Sequence, residues 1–296
     1  MLAVYKRELR AYMNNVYGWL FMAIFLLFTS YVMFQNNLYD GMPEFELTLS
    51  GSQYALLLLI PILCMRSMAE DRHNKTDMFY LSLPMKTSSV VLGKYFAMLT
   101  VYAIPCVILC VYPLVLGGFG EIRYLTAYLS ILLYLILGAA LIAVCQFMSS
   151  LTDNLVIAAV LGVLAVAVLL FSPFLSYIIP MTAKASFWGM IILACLTTGI
   201  AFLVTRNLSV TAITGTVSIV PMCVVYILMR PKVGIIPVDT FPGLITYLLQ
   251  FLSPFAHFAT FCQFGTFSVP SLILLLSYPV LFVFLTVQSA DKKRWD

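Results

Sequence analysis

Charged residues are scarce in this chain: Asp, Glu, Lys and Arg make up 9% of its 296 residues, whereas 62% are hydrophobic. So small a charged fraction cannot cover a water-soluble surface, which excludes a soluble globular domain. Apolar runs of about 20 residues, the length that a helix needs to cross the hydrocarbon layer, recur along the sequence. We therefore predict an all-α, polytopic membrane protein in which residues 1–296 form a single transmembrane domain.

The apolar runs predict about eight transmembrane helices. Short alternating strands of the kind that form barrels are missing, so helices are favoured throughout. The eight predicted spans cover residues 17–34, 48–65, 95–117, 124–147, 155–172, 187–205, 210–229 and 269–287.

The basic residues predict the orientation of these spans, because short loops rich in Lys and Arg stay on the cytoplasmic side. With eight spans and both termini in the cytoplasm, twelve of the 16 Lys and Arg residues fall inside and only four fall outside. The net charge of +4 is therefore a signal of topology and not of nucleic-acid binding. The four outer residues are Arg123, Lys184, Arg230 and Lys232.

Motifs for catalysis and for metal binding are also missing. The sequence has no GxSxG, no HExxH and no Walker phosphate loop, so we expect no ATP hydrolysis by this chain and no enzymatic activity. Its seven cysteines lie in apolar stretches and form no CxxC pair, so we expect no metal site. The two histidines, His73 and His257, lie far apart in the sequence and suggest no catalytic set.

Acidic residues are missing from the predicted spans, since all twelve fall in loops or at span ends. An ion-coupled carrier usually keeps an ionisable group near the middle of the bilayer as its proton or cation relay. Backbone carbonyls and hydroxyls at broken helices could hold sodium instead, so an ion-coupled secondary transporter stays as the alternative function. A membrane-embedded enzyme is the third possibility, and it would need a polar catalytic set facing one cavity.

One polar stretch, residues 66–94, interrupts the apolar pattern after the second predicted span. It contains helix formers, mixed charges and an apolar set, and Pro84 should end the helix that Arg66 begins. Thr87 or Ser88 can then cap a second helix, which enters the membrane at Tyr95. A short helix with an apolar edge suits docking into a groove of a soluble partner, whereas an ordinary cytoplasmic loop is the simpler interpretation.

Two further segments differ in composition from the predicted spans. Residues 1–16 mix basic and apolar side chains, which suits either a helix lying in the membrane interface or a short topogenic tail. Residues 230–268 are apolar but contain Pro231, Pro237, Pro242 and Pro254, so half-helices in the outer leaflet are expected there rather than one continuous span.

Four stretches occur in order along the chain: YKRELRAYMNNVYGWLF, RSMAEDRHNKTDMFYLSLPMKTSSVVLGKYFA, LSPFAHF and FLTVQSADKKRW. Together they resemble the type-2 ABC export permeases of the gliding-motility-type subfamily. The second resembles their cytosolic coupling segment, and the third resembles the element before their last span. FLTVQSADKKRW is similar to the closing span with its basic tail, and YKRELRAYMNNVYGWLF is similar to the first helix. The chain departs from the family pattern at Ala256, where many relatives carry an acidic residue, and in two additional central spans.

The resemblance implies a permease subunit in a bacterial plasma membrane that exports an amphipathic or apolar substrate such as a peptide, lipid or drug. It implies a second permease subunit, surrounding lipids and a separate ABC ATPase that binds ATP and Mg²⁺. The implied ATPase-coupling residues are Glu70, Asp71, Arg72, Lys75, Thr76 and Asp77. The implied outer gate segment contains Leu252, Ser253, Pro254, Phe255 and Phe258.

Overall fold

The computed structural model describes residues 1–74, 86–120, 122–178, 249–265 and 268–295, together with Ile191, Cys195 and Thr198. These residues are helical or lie in turns and short connections, and none of them forms a strand. The chain divides into two compact units, Met1–Leu170 with Pro254–Asp296 and Phe171–Ser253. The all-α prediction is confirmed for the described part of the chain.

Nine α-helices have described bounds. A π-helical turn, Phe34–Tyr39, directly extends the second of them. The helices are α1 (Leu2–Asn14), α2 (Val16–Met33), α3 (Phe45–His73), α4 (Thr87–Leu109), α5 (Tyr112–Leu116), α6 (Tyr124–Ser150), α7 (Leu155–Ile178), α8 (Pro254–Phe264) and α9 (Val269–Trp295).

Six helical segments among the described residues are long and apolar enough to cross a membrane. They agree with six of the eight predicted spans; the other two, 187–205 and 210–229, lie outside the described residues except for three single positions. The six segments are Val16–Tyr39, Phe45–His73, Thr87–Leu116, Tyr124–Ser150, Leu155–Phe174 and Val269–Lys292.

Helix α6 is the centre of the first unit and packs against α3, α4, α8 and α9. Its small residues Gly138, Ala139 and Ala140 let neighbouring helices approach closely. The Tyr102 hydroxyl of α4 donates to the carbonyl oxygen of Tyr134 in α6 at 2.9 Å, and both side chains are fully buried. In an apolar environment such internal partners replace water, so these bonds fix α4 against α6.

Helices α1 and α2 meet at a sharp break. Asn15 has an extended backbone with φ −102° and ψ 148°, and its side chain accepts a hydrogen bond from Val16 N at 3.1 Å. Gly18 allows the close approach, since a Cβ there would lie 2.4 Å from the carbonyl oxygen of Tyr12. The predicted helix in residues 1–16 is therefore present as α1, and its position at the membrane interface stays a prediction.

Two predicted boundaries were wrong. Residues 66–73 continue α3 without interruption, so Arg66 does not begin a separate helix, and residues 75–85 lie outside the described part of the chain. Helix α3 also begins at Phe45 rather than at residue 48, which places Glu46 in its first turn with only 7% of the residue exposed. The candidate spans therefore include Glu46, Glu70, Asp71 and Asp291, and each of these lies near an end of its helix, where the sequence placed it.

In the predicted outer half-helix segment, residues 230–268, the structure describes residues 249–265 and 268. Helix α8 lies there and is too short to span a bilayer, since it has 11 residues. Residues 230–248, with Pro231, Pro237 and Pro242, lie outside the described residues. Whether the whole segment consists of half-helices therefore stays a prediction.

Candidate functional site

Lys94 is the centre of a charged cluster that joins three helices. Its side chain is 3% exposed, and its ammonium group donates to Asp71 Oδ2 of α3 at 2.5 Å and to the carbonyl oxygen of Ser67. Glu8 Oε1 of α1 lies 3.7 Å from the same nitrogen. We call Glu8, Ser67, Asp71 and Lys94 the Lys94 cluster. Because a buried charge is tolerated only with good partners, these contacts hold α1, α3 and α4 together at one end of the unit.

Arg72 joins the same end of α3 to the end of α6. Its side chain is 6% exposed and donates to the carbonyl oxygen of Ser150, the last residue of α6. Ser289 of α9 donates to that same carbonyl at 3.4 Å, and the carboxylate of Asp153 lies 3.9 Å from the Arg72 guanidinium. Arg72 therefore satisfies a helix-terminal carbonyl that has no partner within its own helix.

Arg66 and Glu70 form a bidentate ion pair on α3, with N–O distances of 2.8 and 2.6 Å. The guanidinium also lies 4.5 Å from the centre of the Tyr17 ring, which adds a cation–π contact to α2. The Tyr12 hydroxyl of α1 donates to the carbonyl oxygen of Leu63 at 3.2 Å. Burial raises the pKa of Tyr12 well above its ordinary value, so this hydroxyl keeps its proton.

Polar side chains of α6 complete the connections at this end. Ser149 donates to the carbonyl oxygen of Met65 at 3.2 Å and accepts from the backbone N–H groups of Met68 and Ala69, each at 3.2 Å. Gln146 donates to the carbonyl oxygen of Val91 in α4 at 3.1 Å. A displacement of the His73 end of α3 must therefore also move α1, α4 and α6, because side-chain contacts link all four.

The structure describes three of the six predicted coupling residues. Glu70 pairs with Arg66, Asp71 with Lys94, and Arg72 with the end of α6, so all three take part in contacts within the unit. Lys75, Thr76 and Asp77 lie outside the described residues. The coupling role of all six stays a prediction.

The predicted gate residues divide between the two compact units. Leu252 is 51% exposed and Ser253 is fully buried, and both belong to the second unit. Pro254 begins α8 in the first unit, where Phe255 and Phe258 are buried and the Phe258 ring lies 5.5 Å from that of Tyr134. These contacts place α8 firmly against α6, and a gating role stays a prediction.

The six long apolar helices among the described residues define the class of this chain, which is a multi-pass, α-helical membrane protein. The family described as ABC-2 family transporter protein matches residues 45–192, which is half of the 296-residue chain. The chain belongs to this family, and it is therefore a transmembrane permease of the ABC transporter class. No curated protein matches the sequence. Permeases of this family typically work with a separate ATPase subunit, and the membrane subunit is generally not itself an enzyme.

Proposed function

We propose that this chain is the permease subunit of an ATP-driven exporter and that the Lys94 cluster carries motion from an ATPase to the transmembrane helices. The observation that supports this most directly is the joining of α1, α3 and α4 by one buried ammonium group. Any partner that moves the segment connecting α3 to α4 would displace both helices together, because the contact of Asp71 with Lys94 joins the end of α3 to the first turns of α4. Family membership favours ATP as the energy source over an ion gradient.

The distribution of charge supports a cytoplasmic position for the Lys94 end. The described basic residues of α1, of the end of α3 and of the start of α4 lie there, whereas Arg123 lies at the opposite end of α6. By the positive-inside rule, both termini are then cytoplasmic in a bacterial plasma membrane. We place the protein in the gliding-motility-type subfamily, paired with a second permease subunit and moving an amphipathic or apolar substrate such as a peptide, lipid or drug.

The coupling segment in this proposal contains Glu70, Asp71, Arg72, Lys75, Thr76 and Asp77. The three side chains that the structure describes are occupied by partners within the chain, which suits a supporting role. Thr76 and Asp77 are then the better candidates for direct contact with the ATPase. ATP and Mg²⁺ would bind to that ATPase and not to the permease.

The proposal is tested by purifying the permease from its native host and measuring ATP hydrolysis and transport. We expect an ATPase to copurify with the permease and ATP-dependent movement of substrate in vesicles that contain both subunits. The permease alone should neither hydrolyse ATP nor transport. Transport by the isolated chain driven by a pH gradient would contradict the proposal.

The double variant Thr76→Ala with Asp77→Ala should reduce copurification of the ATPase by about tenfold, which corresponds to roughly 1.4 kcal/mol of lost binding energy. Membrane insertion and thermal stability should not change, because the contacts of the Lys94 cluster remain. Quantitative immunoblotting of the purified complex measures the ratio of the two subunits.

The matched control is Asp153→Ala, which also removes a carboxylate near the Lys94 end. Its side chain is 66% exposed and its carboxylate lies 3.9 Å from the Arg72 guanidinium, which is longer than a hydrogen bond, so this contact should contribute little to stability. ATPase copurification should stay at the parental level in this control. Equal losses in both variants would argue against direct contact at Thr76 and Asp77.

A further inference from the structure

A cavity of about 480 Å³ lies at the end of the first unit opposite the Lys94 cluster. Its walls come from the start of α3, the start of α6 and the end of α8. The polar residues that line it include Glu44, Glu46, Arg123, Thr126 and Gln263. The volume is in the range of sites that hold small molecules, roughly 300–1,000 Å³.

Specific local contacts build the walls of this cavity. Asn37 donates to the carbonyl oxygens of Met42 and Glu44 at 2.7 and 3.2 Å, which fixes the loop that leads to α3. Gly265 ends α8 with φ +61°, and its N–H donates to the carbonyl oxygen of Phe261 at 2.8 Å. The cavity is therefore held by ordered backbone on two sides.

Glu46 is a buried acidic residue in the wall of this cavity. It is 7% exposed, it lines the cavity, and among the described residues its carboxylate has no hydrogen bond and no ion pair. Its place in the first turn of α3 gives it a favourable interaction with the helix dipole, typically about 0.3–1 kcal/mol. Its carboxylate lines the cavity, so a positively charged group that enters the cavity can reach it.

A cation bound in the cavity would give this carboxylate an ion-pair partner, because Arg123 lines the cavity but forms no ion pair with Glu46. The described residues contain no group of three or more His, Cys, Asp or Glu side chains that could hold a metal ion, which favours an organic cation. Pro43, Ile122 and Cys262 provide apolar wall surface beside the carboxylate. An ammonium group on an apolar chain matches both parts of this lining.

We propose that the cavity binds the ammonium group of an amphiphilic amine and that Glu46 is its counter-ion. Arg123 has no ion pair with any described residue and lines the same cavity from the start of α6, where it can contact an anionic group of the ligand. Two sources share this chemistry: an amine that the protein transports, and the phosphoethanolamine headgroup of a membrane lipid. Arg123 should matter only for the second, because only that ligand carries a phosphate.

The test measures binding to the full-length permease in phosphatidylcholine nanodiscs by calorimetry, with empty nanodiscs subtracted. The probes are octylamine, which is cationic at neutral pH, octanol, which has the same chain without the charge, and dihexanoyl phosphatidylethanolamine. Octylamine should bind saturably and Glu46→Gln should weaken it by at least about tenfold, as expected for loss of one partner of a buried charge pair. Arg123→Ala should weaken only the phosphatidylethanolamine probe.

Asp40→Asn is the matched control, because it removes an exposed carboxylate of the neighbouring loop that does not line the cavity. Thermal unfolding of each variant checks that Glu46→Gln still folds. Octylamine binding that is absent, equal to that of octanol, or unchanged by Glu46→Gln would overturn the proposal. Since no ATPase is needed, a negative result leaves the proposed exporter function intact, and failure of an ATPase to copurify leaves the binding site intact.

Discussion

Replacing Lys94 by Met should cause the largest loss of stability of any single substitution at the charged end of the first unit. The change removes the ammonium group that contacts Asp71, with 19% of its side chain exposed, and Glu8, with 14%. Removing one partner of a buried ion pair typically lowers the free energy of unfolding by about 3–5 kcal/mol. Unfolding of the purified permease in a denaturing detergent series measures this loss.

Two variants separate the loss of the ion pair from the change in side-chain shape. Lys86→Met removes an exposed charge just before α4 and should leave stability unchanged. In the double variant Lys94→Met with Asp71→Leu, the carboxylate that lies closest to the ammonium group is also removed, so stability should be partly restored. If the double variant is as unstable as the sum of the two single variants, Lys94 and Asp71 are not energetically coupled.

The same variants also test whether the Lys94 cluster contributes to transport beyond its effect on stability. If the Lys94 cluster transmits motion, Lys94→Met should lower ATP-dependent transport more than it lowers the amount of folded complex. Transport per folded complex is the readout, because a purely structural role would leave that ratio unchanged. The partly restored double variant should stay poor in transport, since it lacks the link between α3 and α4.

Composition and hydropathy were sufficient to predict the class of protein and six of its spans. A helix that crosses the bilayer needs a long run of consecutive apolar residues, so each span can be recognised from its own stretch of sequence. The helix boundaries were harder, because α3 continues through the polar residues 66–73 after its apolar run has ended. Tertiary contacts of Arg66, Asp71 and Arg72 stabilise that extension, and hydropathy does not report them.

Hydropathy did not indicate the interhelical contacts of Lys94 or the buried position of Glu46. A lysine at the edge of an apolar run usually marks topology, and only contacts across 23 residues to Asp71 and across the α1–α4 interface show that Lys94 is a structural centre. Glu46 precedes the predicted start of its span and therefore resembled a loop residue. A useful signal for both is an ionisable residue within one or two turns of a long apolar run, where the helix can extend to include it.

The second large effect is expected at Gly138, where α6 touches the ring of Tyr102. A Cβ at this position would lie 2.1 Å from Tyr102 Cε1, far inside van der Waals contact. The ring cannot easily move, because Tyr102 is fully buried, donates a hydrogen bond to Tyr134, and has an edge contact with Phe25 at 5.8 Å between ring centres. Overpacking of this kind typically lowers stability by about 1–3 kcal/mol.

In an exposed helix, Gly→Ala would instead raise stability by up to about 1 kcal/mol, because alanine is the better helix former. For Gly138→Ala we expect the clash with the Tyr102 ring to outweigh the gain in helix propensity, so the permease should unfold at lower denaturant concentration.

Gly120→Ala is the control, since nothing lies within 4 Å of a Cβ at Gly120. The double variant Gly138→Ala with Tyr102→Leu should lose less stability than the two single losses combined, because the smaller side chain leaves room for the new methyl group. Additive losses, or parental stability of Gly138→Ala, would show that α4 and α6 are not in close contact at this point.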